Sequence, residues 1–115
     1  MEKNVEKICA LLAEKNAKDI TVLNIAKKSS VANYMIVACC RSTTQVKAVA
    51  EHVENEIAKE GTEPLRKEGL SEGRWIIYDY GDVIVHIFND ETRLYYHLEE
   101  LWGDDDNVIK YHGEN

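Results

Sequence analysis

Asp79-Tyr80-Gly81-Asp82 places two carboxylates within four residues, and His86 follows four positions later. Such a set could bind a divalent cation or exchange protons with a substrate. Turn chemistry accounts for the same residues, because Asp and Gly favour tight turns for backbone reasons. We take the turn reading for the carboxylates. His86 lies between Val85 and Ile87, and the local sequence supplies no partner for its ring. A catalytic imidazole needs such a partner, so a hydrogen-bonded strand histidine is the better reading. Cys40 lies two residues before Ser42, a candidate helix N-cap where the helix dipole could lower a thiol pKa. No signature of a cysteine enzyme accompanies it, and we read it as packing.

Trp75, Tyr78 and Tyr80 carry a different possibility. On a strand, Trp75 and Asp79 share one face while Tyr78 and Tyr80 share the other. If one face packs on helices, the other presents aromatic and acidic groups together. That is material for a protein-binding surface. The competing reading is that these aromatics fill the core.

The elements that position these residues follow from periodicity. Val5, Ile8 and Leu12, widened by Cys9 and Leu11, predict an amphipathic helix over about residues 2–16. Alternation over Asp19–Ala26 predicts a first strand, and the apolar run Tyr34–Cys40 a second, covered on both faces. Ser42-Thr43-Thr44-Gln45 matches a capping box. A second helix should follow to about Glu60, stopped by Gly61. Pro64–Glu68 suits an edge strand. Arg74–Tyr80 and Asp82–Phe88 form a hairpin around Gly81. Asn89-Asp90 can cap a third helix carrying Leu94, Leu98 and Leu101, ended by Gly103. The expectation is an α/β (α+β) domain with one mixed five-stranded sheet and three helices over residues 1–105, and a solvated acidic tail over 106–115.

Composition narrows the function classes. The chain has 115 residues and a formal net charge of -7, so one domain is expected. Residues 1–60 hold nine Lys/Arg and eight Asp/Glu, whereas residues 61–115 hold five and thirteen. Eight of the nine aromatics lie after residue 74. An acidic chain is a poor general ligand for phosphate backbones and an easier one for a basic protein. No run approaches the roughly 18–20 apolar residues of a membrane span, and the charged start does not suit a signal peptide, so we expect a cytoplasmic protein. Three cysteines, an odd number, suggest thiols, with Cys39 and Cys40 pointing to opposite faces. No C-x-x-C occurs and the histidines are scattered, so no metal site is expected. Neither of the glycine-rich phosphate-loop patterns can be written on the chain. Arg41–Thr44 leads into a helix N-terminus, which suits an anion, but capping alone explains it.

Together these residues resemble a known family. Asp19–Asn24, Ser30–Ala38 and Ser42–Ala50 look like the first half of the ribosomal silencing factor (RsfS, or Iojap-like) family. Glu68-Gly69, Trp75, Asp79–Phe88, Arg93, Tyr95-Tyr96 and Leu98–Trp102 are similar to its W-x-x-x-D-Y-G-D-x-x-V-H-x-F and R-x-Y-Y-x-L-E-x-L-W signature. The likeness covers about residues 5–105. Asn33 stands where the family usually has Asp, and Cys40 where glycine is usual.

The resemblance implies a nucleotidyltransferase-like fold without the catalytic motif, and a non-enzymatic translation factor with no cofactor and no metal. It implies binding to large-subunit ribosomal protein 14, steric exclusion of the small subunit, and repression of translation when nutrients are scarce. Ribosomal RNA is then a peripheral neighbour, and the free protein forms a homodimer. On this reading Glu68, Trp75, Asp79, Tyr80, Asp82 and His86 meet the partner, with Trp75 as apolar anchor and the carboxylates pairing with Lys/Arg. Two alternatives stay open: a large-subunit assembly factor, and a nucleotide-binding or nucleotidyl-transferring enzyme using Asp79, Asp82 and His86.

Overall fold

The structure, a computed structural model, describes residues 3–89 and 107–111. Helix α1 (Lys3–Glu14) buries Val5, Ile8, Cys9, Leu11 and Leu12, the stripe that its spacing lines up. It ends at Asn16, whose φ is +67°. There the Asn16 N–H bonds the Ala13 carbonyl at 3.0 Å and the Ala17 N–H bonds that of Leu12 at 3.1 Å. This left-handed cap satisfies two orphan carbonyls, with asparagine in the place of the usual glycine.

Strands β1 (Lys18–Asn24) and β2 (Tyr34–Cys40) follow, and then helix α2 (Thr43–Ala58). Ser42 caps α2 by accepting the Gln45 N–H at 3.1 Å. The other half of the box closes one residue earlier than expected: Gln45 Oε1 accepts the Arg41 N–H at 2.7 Å. Its Nε2 donates to the carbonyls of Lys15 and Asn16 at 3.2 and 3.3 Å. One side chain therefore ties the start of α2 to the end of α1. Gly61 stops α2 as expected, its N–H bonding the Ala58 carbonyl at 2.9 Å.

The remaining strands are β3 (Arg66–Glu68), β4 (Trp75–Asp79), β5 (Val83–Asn89) and β6 (Val108–Lys110). The sheet order is β3-β4-β5-β2-β1-β6. Among the described residues only the central β2–β5 pairing is parallel. The mixed-sheet α/β (α+β) class is therefore as expected, but the described residues form a six-stranded sheet rather than a five-stranded one. The added strand falls in the stretch read as a solvated tail. It pairs antiparallel with β1, Leu23 opposite Val108 and Thr21 opposite Lys110. Without it β1 would expose a row of unpaired N–H and C=O groups. Asn107 secures the junction, donating from Nδ2 to the Asn24 carbonyl at 2.9 Å. Two of the three expected helices lie among the described residues. The one over Leu94, Leu98 and Leu101 lies outside them.

Both described helices pack on one face of the sheet. The core there joins Val5, Ile8 and Leu12 to Ile20, Val22, Ile36, Cys40, Val46, Val49, Val53, Ile76 and Tyr78. A second cluster, Leu23, Ile25, Ala32, Met35, Val37, Cys39 and Phe88, occupies the opposite face. Cys39 and Cys40 thus point to opposite faces as expected. All three cysteines are buried and outside any disulfide. Burial pushes the Cys9 thiol up to about 12, which leaves it chemically inert at neutral pH.

Candidate partner-binding face

The register of three strands assembles the site. Between β4 and β5, Trp75 lies opposite Phe88, Ile77 opposite His86, and Asp79 opposite Ile84. Between β3 and β4, Arg66 lies opposite Asp79 and Glu68 opposite Ile77. Cross-strand partners share a face. Glu68, Trp75, Asp79 and His86 therefore stand on one face, the one turned away from α1 and α2. Arg66, Ile77 and Ile84 stand there too, and the sequence reading did not include them. Alternation from Trp75 and from His86 would have found the two isoleucines. Tyr78 and Tyr80 pack toward the helices, so the expected split of the aromatics holds.

Trp75 is half-buried and its indole N–H donates to His86 Nδ1 at 3.0 Å. The two rings stack with centroids 5.8 Å apart, and Phe88 completes a cluster of three rings, 5.4 Å from the indole and 6.1 Å from the imidazole. His86 is buried, and loss of solvent pushes its pKa down to about 4. The ring is neutral at pH 7, and accepting at Nδ1 places its proton on Nε2. The missing partner of His86 is thus an indole eleven residues earlier.

The two carboxylates diverge. Asp79 Oδ1 accepts the Gly81 N–H at 2.8 Å, and Oδ2 faces Arg66 Nε at 3.7 Å. Asp82 is exposed in the turn, and its carbonyl receives the N–H groups of Asn33 and Tyr34 at 2.9 and 3.0 Å. Its residue lines a small pocket beside the helices, with Asn4, Glu60, Thr62 and Tyr80. Asp79, Asp82 and His86 do not converge on one point. Among the described residues no group of three His, Cys, Asp or Glu could hold a metal ion. No described helix is long and apolar enough to cross a membrane.

The tyrosines of the helix side differ in their partners. Tyr78 donates to Glu54 Oε1 at 3.1 Å, and Lys67 Nζ holds Glu54 Oε2 at 2.9 Å. Burial raises the Tyr78 phenol well above its ordinary value. The Tyr80 hydroxyl is buried without a hydrogen-bond partner, and burial pushes its pKa up to about 12. Cys40, in a place where the resemblance leads one to expect glycine, closes β2 without a positive φ.

With this geometry in place, the chain can be set beside known proteins. The family described as "Ribosomal silencing factor during starvation" matches residues 1–114. The ribosomal silencing factor RsfS of Bacillus subtilis is 38% identical over 104 residues, 90% of this chain and 88% of that one. A mouse protein named for mitochondrial assembly of the ribosomal large subunit is 28% identical over 86% of this chain and 45% of its own length. Among solved structures, a Chromobacterium violaceum protein superposes with a TM-score of 0.82 at 34% identity, covering 98% of this chain and 95% of that one.

Proposed function

Because this chain belongs to the ribosomal silencing factor family, we propose that it is a cytoplasmic, non-enzymatic translation factor that docks on large-subunit ribosomal protein 14. Bulk at that position keeps the small subunit from joining and lowers translation when nutrients are scarce. Ribosomal RNA contributes at the periphery, and the undocked protein pairs as a homodimer.

The observation that carries the reading is the grouping of Glu68, Trp75, Ile77 and Asp79 on one face. A half-buried aromatic anchor beside carboxylates suits a basic protein partner. Tyr80 and Asp82, on the helix side and in the turn, contribute at the rim. His86 and Asp79 are already engaged within the fold, which fits a binding surface better than a catalytic one.

A pull-down with isolated ribosomal protein 14 tests this. A folded Trp75→Ala, Glu68→Ala variant should lose about 2 kcal/mol or more, roughly 30-fold in affinity. Full affinity in that variant defeats the site. On sucrose gradients, added protein should run with free large subunits and reduce joined ribosomes. If it does neither, the silencing function fails.

The name of the mouse relative favours a second reading, in large-subunit assembly. Accumulated precursor subunits in cells lacking the protein, with normal joining of mature subunits, would select it.

A further inference from the structure

Trp75 is held at both its main chain and its ring. A Cβ placed on Gly69, whose φ is +81°, would lie 1.9 Å from the Trp75 carbonyl oxygen. The turn before β4 therefore rests directly on the Trp75 peptide, at a distance that only glycine allows. The Gly73 N–H closes that turn on the Gly69 carbonyl at 3.0 Å. Gly73 is itself packed against Lys47 and the Thr43 carbonyl of α2.

At the other end, the indole is bonded to His86 Nδ1 and flanked by Phe88. Phe88 is wholly buried and His86 nearly so, at 0% and 6% exposure. Packed rings of this kind cannot drift to follow a loose neighbour. His86 is also too deep to serve as a contact of its own. An interface tryptophan that is free to change rotamer must be ordered on binding, which weakens association. One that is ordered beforehand avoids the loss.

We propose that His86 and Gly69 are positioning residues, which hold the Trp75 indole in its docking orientation before a basic protein partner arrives. The proposal rests on the reading that Trp75 is the anchor. It moves His86 from the set of contacts to the support beneath them.

The test is a double-mutant cycle on the full chain, with affinity for isolated large ribosomal subunits as readout. Circular dichroism and urea midpoints serve as the check of fold. His86→Phe keeps a stacked ring and removes the acceptor, and His86→Gln restores an acceptor. His86→Phe should weaken binding about 3- to 10-fold when Trp75 is present and have no effect in a Trp75→Ala background, and His86→Gln should recover most of the loss. In a Trp102→Phe background, fluorescence anisotropy decay should show a more mobile indole in His86→Phe.

Equal weakening in both backgrounds overturns the proposal, since His86 then acts independently of Trp75. Unchanged affinity with a mobile indole also overturns it. Should His86→Phe not fold, replacing Trp75 by its benzothienyl isostere removes only the N–H donor and must give the same loss. If Trp75→Ala itself binds with full affinity, the anchor reading falls and the proposal with it. Weak binding by Trp75→Ala with an additive cycle removes the positioning role alone.

Discussion

The indole of Trp75 reaches diagonally past its register partner Phe88 to the ring of His86, 3.0 Å from Nε1 to Nδ1. The support of the aromatic anchor is therefore also a titratable group, whose pKa burial lowers.

That coupling sets a pH dependence. Burial lowers the His86 pKa from 6.5 to about 4, so the unfolded chain takes up a proton that the folded chain refuses. Between these two values stability falls as pH falls, and it is fully present above 6.5. The loss approaches about 3 kcal/mol near pH 4. Urea unfolding at pH 7, 5.5 and 4 should show the decline, and His86→Phe should flatten it. An equal slope in that variant would assign the decline to other groups.

Two neighbouring tyrosines should respond oppositely to loss of the hydroxyl. Tyr78→Phe breaks a bond to Glu54 and should cost about 1–2 kcal/mol. Tyr80→Phe removes a buried hydroxyl that lacks a partner, and should be neutral or stabilising by up to about 1 kcal/mol. Urea midpoints decide the order, and a larger cost at Tyr80 would contradict it.

Gln45 should matter as much as the cap itself. Ser42→Ala removes one bond and should cost about 1 kcal/mol. Gln45→Ala removes the contacts to Arg41, Lys15 and Asn16 and should cost at least that, about 1–2 kcal/mol. Thermal unfolding of the two variants side by side makes the comparison. A Gln45→Ala variant as stable as the parent would mean that the α1–α2 tie contributes nothing.

Gly69 and Gly61 share a left-handed φ but not their surroundings. A Cβ at Gly61 meets nothing within 4 Å, so Gly61→Ala should cost only the backbone strain, about 1 kcal/mol. At Gly69 it meets the Trp75 carbonyl, and Gly69→Ala should cost more than about 3 kcal/mol. Similar chemical-denaturation midpoints for the two variants would count against the close approach.

What could be read along the chain is what nearest neighbours specify. The stripe Val5-Ile8-Cys9-Leu12, the cap at Ser42, the stop at Gly61 and the hairpin around Gly81 each depend on residues within about one or two turns of one another. The separation of Trp75 and Asp79 from Tyr78 and Tyr80 needs only the two-residue period of a strand. These signals, with the signature residues, were enough for the fold class and the family.

Tertiary structure decided what depends on register between distant segments. It brought Glu68 alongside Ile77 and His86, supplied the indole that His86 lacked, and turned Asp79 and Asp82 away from each other. It also made Val108–Lys110 a strand, although three residues carry no period of their own, because β1 offered an unpaired edge. A hydrogen bond or a shared face between strands is fixed by the pairing of whole strands. That pairing comes from burying both sheet faces at once, which no short window of sequence encodes.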